Sequence, residues 1–155
     1  MTESLVGSTL PDAAVVTADG RPGRLVQTLQ SRPAAVFFMR ASTCAVCVKH
    51  ARTLAGMGAE LADRGAHAVV VVPGGAKEAA AVAGKVGRGA TVVASDPAAA
   101  HAGAGLDRTL FLQHSGTFLV SSEGIVRYAK TATMPTGSFS AAELRSALAT
   151  PGVAR

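Results

Sequence analysis

Two apolar runs with a helical segment between them constrain the fold of this chain more than any other feature. Residues 34–39 and 66–72 are almost entirely apolar, which is the pattern of strands buried on both faces. Between them, residues 44–64 carry apolar side chains near helical spacing, and Gly65 follows as a typical helix end. Because right-handed crossovers place such strands side by side or nearly so, we expect two adjacent parallel strands.

The same alternation extends along the chain. A short first strand ends in a turn at Asp19-Gly20, and residues 24–30 predict one or two helical turns. Residues 77–86 predict a second long helix, and residues 90–95 predict a third buried strand. Asp96-Pro97 then predicts the start of a short helix, with Asp or Ser as its cap.

The last third of the chain predicts a hairpin and a helix. Glu123-Gly124 separates two strand-like runs, and Ser140 with Glu143 has the spacing of a capping box. Together with the preceding elements, this order predicts an α/β fold with a central mixed sheet and helices on both faces. At 155 residues, we expect a single domain over residues 1–155.

Charge and hydropathy exclude several classes of partner. The net charge is +5, but the 15 Lys and Arg residues are scattered and are not interleaved with aromatic residues, so we expect no nucleic-acid partner. No apolar run reaches the length of a membrane span, and the first residues do not form a targeting segment. The expected location is therefore the cytoplasm, with no membrane association.

The only two cysteines, Cys44 and Cys47, form a CxxC within the stretch FFMRASTCAVCVKH. In a reducing compartment this spacing favours redox or metal chemistry over a structural disulfide. A metal site would use Cys44, Cys47 and His50, but its fourth ligand is not evident from spacing; the candidates are His67, His101 and His114. We prefer the redox interpretation to the metal site, and also to a pair of buried cysteines with only a structural role. It requires no metal and no cofactor.

The two cysteines are expected to differ in reactivity. Cys44 lies at or near a helix N-terminus, where backbone N–H groups favour a thiolate, and Arg40 is a second source of positive charge. Thr43 is the expected helix cap, which would orient the loop. Cys47 falls on the same helix face, so it is predicted to resolve an oxidised Cys44. We expect Cys44 to be exposed and acidic and Cys47 to be more buried, with His50 on the helix surface.

The sequence resembles the thioredoxin-like superfamily, and within it the peroxiredoxin-like branch of alkyl hydroperoxide reductases and thiol-specific antioxidants. The resemblance rests on VGSTLPDAAVVTADG, AAVFFMRASTCAVCVKHARTL and GTFLVSSEGIVRYAK, and it spans about residues 6–148. It implies a thioredoxin-like fold with an N-terminal extension hairpin. It also implies that Gly116 and Thr117 flank the site across from Cys44.

Three positions depart from the pattern of this branch. Its PxxxTxxC motif would place Pro and Thr at Phe37 and Ala41 when counted from Cys44, and its peroxide-binding Arg at Ser115. The predicted function is therefore a thiol-disulfide oxidoreductase or a slow thiol-dependent peroxidase. Its substrate is a disulfide or a peroxide, and a thiol electron donor or reductase restores the dithiol. The alternative is a non-catalytic redox-sensing or binding module.

Overall fold

The computed structural model describes residues 5–110 and 112–150, which form nine strands and six α-helices. The strands are β1 (Ala14–Thr17), β2 (Pro22–Arg24), β3 (Ala34–Phe38), β4 (His67–Pro73), β5 (Thr91–Ser95), β6 (Arg108–Thr109), β7 (Leu112–Gln113), β8 (Ser115–Val120) and β9 (Val126–Ala132). The helices are α1 (Leu25–Leu29), α2 (Ala45–Gly56), α3 (Gly58–Asp63), α4 (Ala76–Val86), α5 (Ala100–Gly103) and α6 (Ala141–Ala149). A 3₁₀ turn covers Pro135–Gly137.

Seven of the strands form one mixed sheet in the order β2-β1-β5-β4-β3-β8-β9. The central strands β3, β4 and β5 are parallel, and Val36 of β3 pairs with Val69 of β4. This confirms the predicted pair of adjacent parallel strands. The N-terminal hairpin β1–β2 is antiparallel and extends the sheet beside β5, while the hairpin β8–β9 extends it beside β3.

The sheet is covered on both faces, which confirms the predicted thioredoxin-like architecture. On one face, the core is formed with α2, α3, α4 and α6, and it includes both cysteines, Phe37 and Met39. On the other face, α1 and α5 pack over Phe38 and Phe118. Alternate residues of a strand point to opposite sides of the sheet. Because consecutive residues of the central strands are apolar, both faces of the sheet are apolar.

The helix predicted over residues 44–64 is two helices, α2 and α3, with Met57 between them. At this junction the loop that contains Gly89 lies against the backbone of the helices. A Cβ atom on Gly58 would lie 3.4 Å from the carbonyl oxygen of Gly89, and one on Gly89 would overlap the carbonyl oxygen of Ala55. Glycine at both positions therefore lets the two backbones approach.

Two glycines form a matched pair for a stability test. Gly89→Ala is expected to destabilise the fold by about 2 kcal/mol or more, since the new methyl group would overlap the backbone of Ala55. Gly84→Ala is expected to stabilise it by up to about 1 kcal/mol, because Gly84 is an exposed residue of α4 with nothing near its Cβ position. Urea denaturation of both variants measures the difference. Equal midpoints would show that the loop at Gly89 moves away at little cost.

One expectation about local structure was inaccurate, and one pair of short strands was not predicted. The short helix predicted to begin at Asp96-Pro97 begins only at Ala100; Asp96 instead forms a turn, with its carboxylate accepting the N–H of Ala98 at 2.9 Å. The strands β6 and β7 were not predicted, because pairs of two residues are too short to carry a period. The late hairpin and the Ser140 cap are confirmed: the Ser140 hydroxyl accepts the N–H of Glu143 at 3.2 Å.

None of the helices within the described residues combines the length and the apolarity that a membrane span requires. The expectation about a targeting segment falls partly on residues 1–4, which lie outside the described residues.

Candidate active site

The two cysteines lie where the chain passes from the central strand β3 to α2. The strand ends at Phe38 and the helix begins at Ala45, so the connecting loop leaves the carboxyl end of a parallel strand. In open α/β sheets, sites gather at this edge because the loops of neighbouring strands converge there. The fold therefore places Cys44 and Cys47 in the position that the sequence predicted.

Cys44 is itself the N-cap of α2. Its backbone is extended, with φ −75° and ψ 108°, and its sulfur accepts the backbone N–H of Cys47 at 3.3 Å. The expectation that Thr43 caps the helix was wrong: Thr43 is exposed, and the cap lies one residue later. The reason is that a cap must reach the amides of the first turn, and the sulfur of Cys44 does so.

The surroundings of Cys44 favour its thiolate. Burial opposes ionisation, but hydrogen bonds from the thiol and the backbone N–H of Cys47 outweigh it, together with a hydrogen bond from the Arg40 side chain and its positive charge. The pKa of Cys44 is lowered from its ordinary value as a result. A sulfur that accepts a first-turn backbone N–H and lies near the positive charge of Arg40 is a prepared nucleophile.

Cys47 has the opposite character. Its side chain is completely buried, at 0% exposure, and its sulfur accepts the backbone N–H of Arg40 at 3.4 Å. Burial, followed by its hydrogen bond to Cys44 and the charge there, raises the pKa of Cys47 to about 12. Both cysteines are free thiols. The pair thus consists of one sulfur poised to ionise and one that holds its proton.

The exposure of Cys44 differs from expectation. Only 4% of the residue is exposed, because it packs in the same core as Phe37 and Met39. The sequence can predict that Cys44 lies at a helix N-terminus, but it does not show whether the preceding loop covers the sulfur. Access to Cys44 is therefore narrow, which limits the size of a molecule that can reach it without movement of the loop.

His50 is not the surface residue that its helix position indicated. Its Nε2 lies 3.0 Å from the carbonyl oxygen of Pro135. Its ring packs between Phe37 and Phe139, with centroid separations of 5.8 and 5.3 Å. Burial is the largest influence on its pKa, which is lowered. His50 thus anchors the 3₁₀ turn at Pro135 against α2 as a neutral side chain.

The neighbouring strand β8 brings Ser115, Gly116 and Thr117 to this edge of the sheet. Gly116 pairs with Phe38 and Thr117 with Phe37, so both lie beside the strand that enters the cysteine loop. Thr117 donates its hydroxyl proton to the carbonyl oxygen of Ser138 at 2.7 Å. Ser115 is completely buried, and its Oγ has no partner among the described residues.

The candidate metal ligands do not assemble. Within residues 5–110 and 112–150, no three His, Cys, Asp or Glu side chains are grouped as a metal site. Each remaining histidine contacts a different group: the Nε2 atom of His67 lies 2.9 Å from the Leu29 oxygen, that of His101 2.7 Å from the Met39 oxygen, and that of His114 2.7 Å from the Thr109 hydroxyl.

Sequence reasoning missed two contacts near the site. One is the backbone N–H of Arg40, which donates to the sulfur of Cys47, whereas the sequence indicates only the charge of the Arg40 side chain. The other is His101, whose position in the short helix α5 carries no spacing relation to the cysteines. Both depend on contacts between distant parts of the chain; the sequence named His101 only as a possible metal ligand, and no pattern in it indicates the contact with the Met39 carbonyl.

A model of the Redoxin family matches residues 5–148, which is nearly the whole chain. A search of curated protein sequences gave no match.

Several solved structures share this fold. The peroxidoxin BcpB of Mycobacterium tuberculosis has a TM-score of 0.78 at 22% identity, with 95% of this chain and 96% of that chain covered. Reduced Prx3 of Vibrio vulnificus in complex with H₂O₂ has a TM-score of 0.78 at 17% identity, with 96% and 99% covered. AhpC of Enterococcus faecalis has a TM-score of 0.73 at 20% identity, with 94% and 91% covered.

Proposed function

Because the chain belongs to the redoxin family, whose fold serves thiol-dependent peroxidases and oxidoreductases, we propose that it is a thiol-dependent oxidoreductase with Cys44 as nucleophile and Cys47 as resolving thiol. We further propose that residues 1–155 act as one redoxin domain, an inference supported by the family match over residues 5–148.

One observation carries this proposal: the sulfur of Cys44 accepts hydrogen bonds from Cys47 and is close to the positive charge of Arg40. These contacts lower the pKa of Cys44, whereas Cys47 keeps its proton. A nucleophilic thiolate beside a protonated thiol is what a two-step dithiol reaction requires. Thr43 is not the cap, but it directly precedes the nucleophile, and we propose it as a residue of the active-site loop.

The proposed reaction with a peroxide has two steps. The Cys44 thiolate attacks the peroxide oxygen, the O–O bond breaks, and the alcohol or water leaves with a proton, so that Cys44 becomes a sulfenic acid. Cys47 then attacks the sulfur of Cys44; the S–S bond forms, the S–O bond breaks, and water carries away the proton of Cys47. With a disulfide substrate, the Cys44 thiolate attacks one sulfur, the substrate S–S bond breaks, and one substrate thiol leaves as the mixed disulfide forms. In the second step Cys47 attacks Cys44, and the other substrate thiol leaves. A thiol donor reduces the resulting disulfide.

The burial of Cys44 favours a small electrophile. With 4% of the residue exposed, a hydroperoxide or a small disulfide can approach more readily than a folded protein. Ser115 stands where the peroxiredoxin-like branch carries an Arg, and its neutral hydroxyl cannot supply that positive charge to a peroxide. We therefore propose a slow peroxidase that also exchanges small disulfides.

The test compares two electrophiles on the same reduced protein. Hydrogen peroxide and oxidised glutathione are each mixed with it, and free thiols are followed over time, with and without dithiothreitol as the donor. We expect loss of both thiols per molecule of peroxide, followed by repeated turnover when the donor is present. Faster loss with the disulfide would make exchange the main activity.

Two other results would contradict the proposal that the protein is an enzyme. If the thiols are lost once and the donor gives no turnover, the protein is a redox sensor or binding module. If neither electrophile consumes the thiols, the proposed dithiol chemistry is wrong.

A further inference from the structure

A completely buried histidine lies behind the strand that leads to the cysteines. His101 has 0% exposure, and its ring meets Phe38 edge to face, with centroids 5.2 Å apart. Its Nε2 lies 2.7 Å from the carbonyl oxygen of Met39. Because a carbonyl oxygen can only accept, Nε2 carries the ring proton. The other nitrogen, Nδ1, is buried and has no partner among the described residues.

The carbonyl that His101 holds belongs to the same peptide unit as the N–H that reaches Cys47. Met39 supplies the C=O, and Arg40 supplies the N–H, which donates to the sulfur of Cys47 at 3.4 Å. A peptide unit is planar and trans, so its C=O and N–H point in opposite directions. Fixing the carbonyl toward His101 therefore aims the N–H toward the sulfur.

The two hydrogen bonds also reinforce each other. A donor at the carbonyl polarises the peptide unit and makes its N–H a stronger donor, since hydrogen bonds in series strengthen one another. His101 stays uncharged as it does this, because burial lowers its pKa to about 4. A protonated ring would also place a second N–H in a buried position that offers no acceptor among the described residues.

We propose that His101 is a positioning residue for the resolving step: through the Met39–Arg40 peptide it holds a hydrogen-bond donor against the sulfur of Cys47 as that sulfur becomes a thiolate. This inference rests on the proposed function, in which Cys47 attacks an oxidised Cys44. The S–S bond forms as the S–O bond of the sulfenic acid, or the S–S bond of the mixed disulfide, breaks. The proton of Cys47 leaves with the departing water or thiol.

The groups that shift the pKa of Cys47 show why the N–H of Arg40 matters when Cys47 attacks oxidised Cys44. Burial, and then the hydrogen bond and charge of Cys44, raise the pKa of Cys47. The backbone N–H groups of Arg40 and Ala41 oppose this rise. Once Cys44 is oxidised, the negative charge that opposed ionisation of Cys47 is gone, while the backbone N–H groups of Arg40 and Ala41 still favour its thiolate.

The test uses variants that separate hydrogen bonding from space filling. His101→Gln places an amide nitrogen at the same distance along the side chain as Nε2, so it can still donate to the Met39 oxygen. His101→Leu fills space without a donor. His101→Asn also lacks this bond, because the asparagine side chain is too short to reach the Met39 oxygen. It replaces His101→Leu in the test if the leucine protein does not fold.

Each variant is mixed with hydrogen peroxide in a single turnover, and disulfide closure is followed by mass spectrometry, with dimedone to trap sulfenic acid at Cys44. The chemical shift of the Arg40 amide proton in the reduced protein is the second readout. In His101→Leu or His101→Asn we expect closure to slow by roughly fivefold. We also expect the Arg40 amide proton to move upfield, while the first step changes by less than about twofold. His101→Gln should restore both.

The inference would be overturned if His101→Gln had the same closure rate and the same Arg40 amide shift as His101→Leu or His101→Asn. The histidine would then only fill space. This outcome differs from a failure of the proposed function, in which the unmodified protein itself forms no disulfide. That result would overturn both proposals together.

Discussion

In the Cys44→Ser variant, alkylation by iodoacetamide at neutral pH and turnover with peroxide or disulfide are both expected to fall to about one hundredth or less. The remaining thiol is Cys47, which is completely buried and has a pKa raised to about 12 beside Cys44. Because the thiolate is the reactive form, a buried thiol with a raised pKa reacts far more slowly at pH 7 than Cys44, whose pKa is lowered.

In this variant the pKa of Cys47 should be less strongly raised than in the unmodified protein. Removal of Cys44 also removes its charge and its hydrogen bond, two of the influences that raise the pKa of Cys47. Burial, the largest influence, remains. Cys47 therefore stays a weak nucleophile, and the serine hydroxyl that replaces the Cys44 thiol does not ionise in this range. Iodoacetamide labelling followed by intact-mass analysis measures the rate.

The pH dependence of alkylation in the unmodified protein gives an independent check. The reactive form is the thiolate, so the rate rises with pH and reaches its half-maximum at the pKa of Cys44. Because this pKa is lowered, the midpoint should lie below the ordinary thiol value of 9.0. A midpoint at or above that value, or fast alkylation of Cys47 in the serine variant, would show that the nucleophile is the other sulfur.

The Cys47→Ser variant is expected to keep the first step and lose the second completely. The backbone N–H of residue 47 still donates to the Cys44 sulfur, and the serine hydroxyl can replace the thiol as a donor. Arg40 is unchanged, so the pKa of Cys44 should remain lowered. Without the second sulfur, however, oxidised Cys44 has no partner within the chain.

The products of this variant identify the role of Cys47. One thiol is lost per peroxide, dimedone labels Cys44, and the mass decrease of two hydrogens that marks an intramolecular disulfide is absent. Turnover then depends on the concentration of external thiol, because the donor must attack Cys44 directly. The unmodified protein serves as the control. Unchanged turnover that is independent of donor concentration would show that Cys47 has no resolving role.

The sequence alone determined the order of the main strands and helices and the place of the cysteines. The apolar runs of β3 and β4 and the helix between them specify a parallel pair, since hydrophobic period and crossover handedness are local rules with few exceptions. The same rules place a CxxC at the carboxyl end of β3. The late hairpin follows in the same way, because Glu123-Gly124 separates two strands that are adjacent in sequence.

Local rules were less exact at element boundaries. The N-cap is Cys44 and not Thr43, although threonine is the better cap by preference, because reach to the first-turn amides decides which side chain caps. The helix over residues 44–64 breaks at Met57, beside the close approach of Gly89 to Ala55. Both outcomes depend on backbone positions that composition and period do not encode.

Only the tertiary structure decided what surrounds the two sulfurs. The contact between His101 and Met39 joins residues 62 positions apart, and that between His50 and Pro135 joins residues 85 positions apart. Such contacts follow from how α5 and the turn at Pro135 pack against β3 and α2, and no periodic pattern specifies that packing. The burial of Cys44 has the same origin. Sequence therefore located the reactive pair, and packing between distant segments set its access, its charge environment and the donor that faces Cys47.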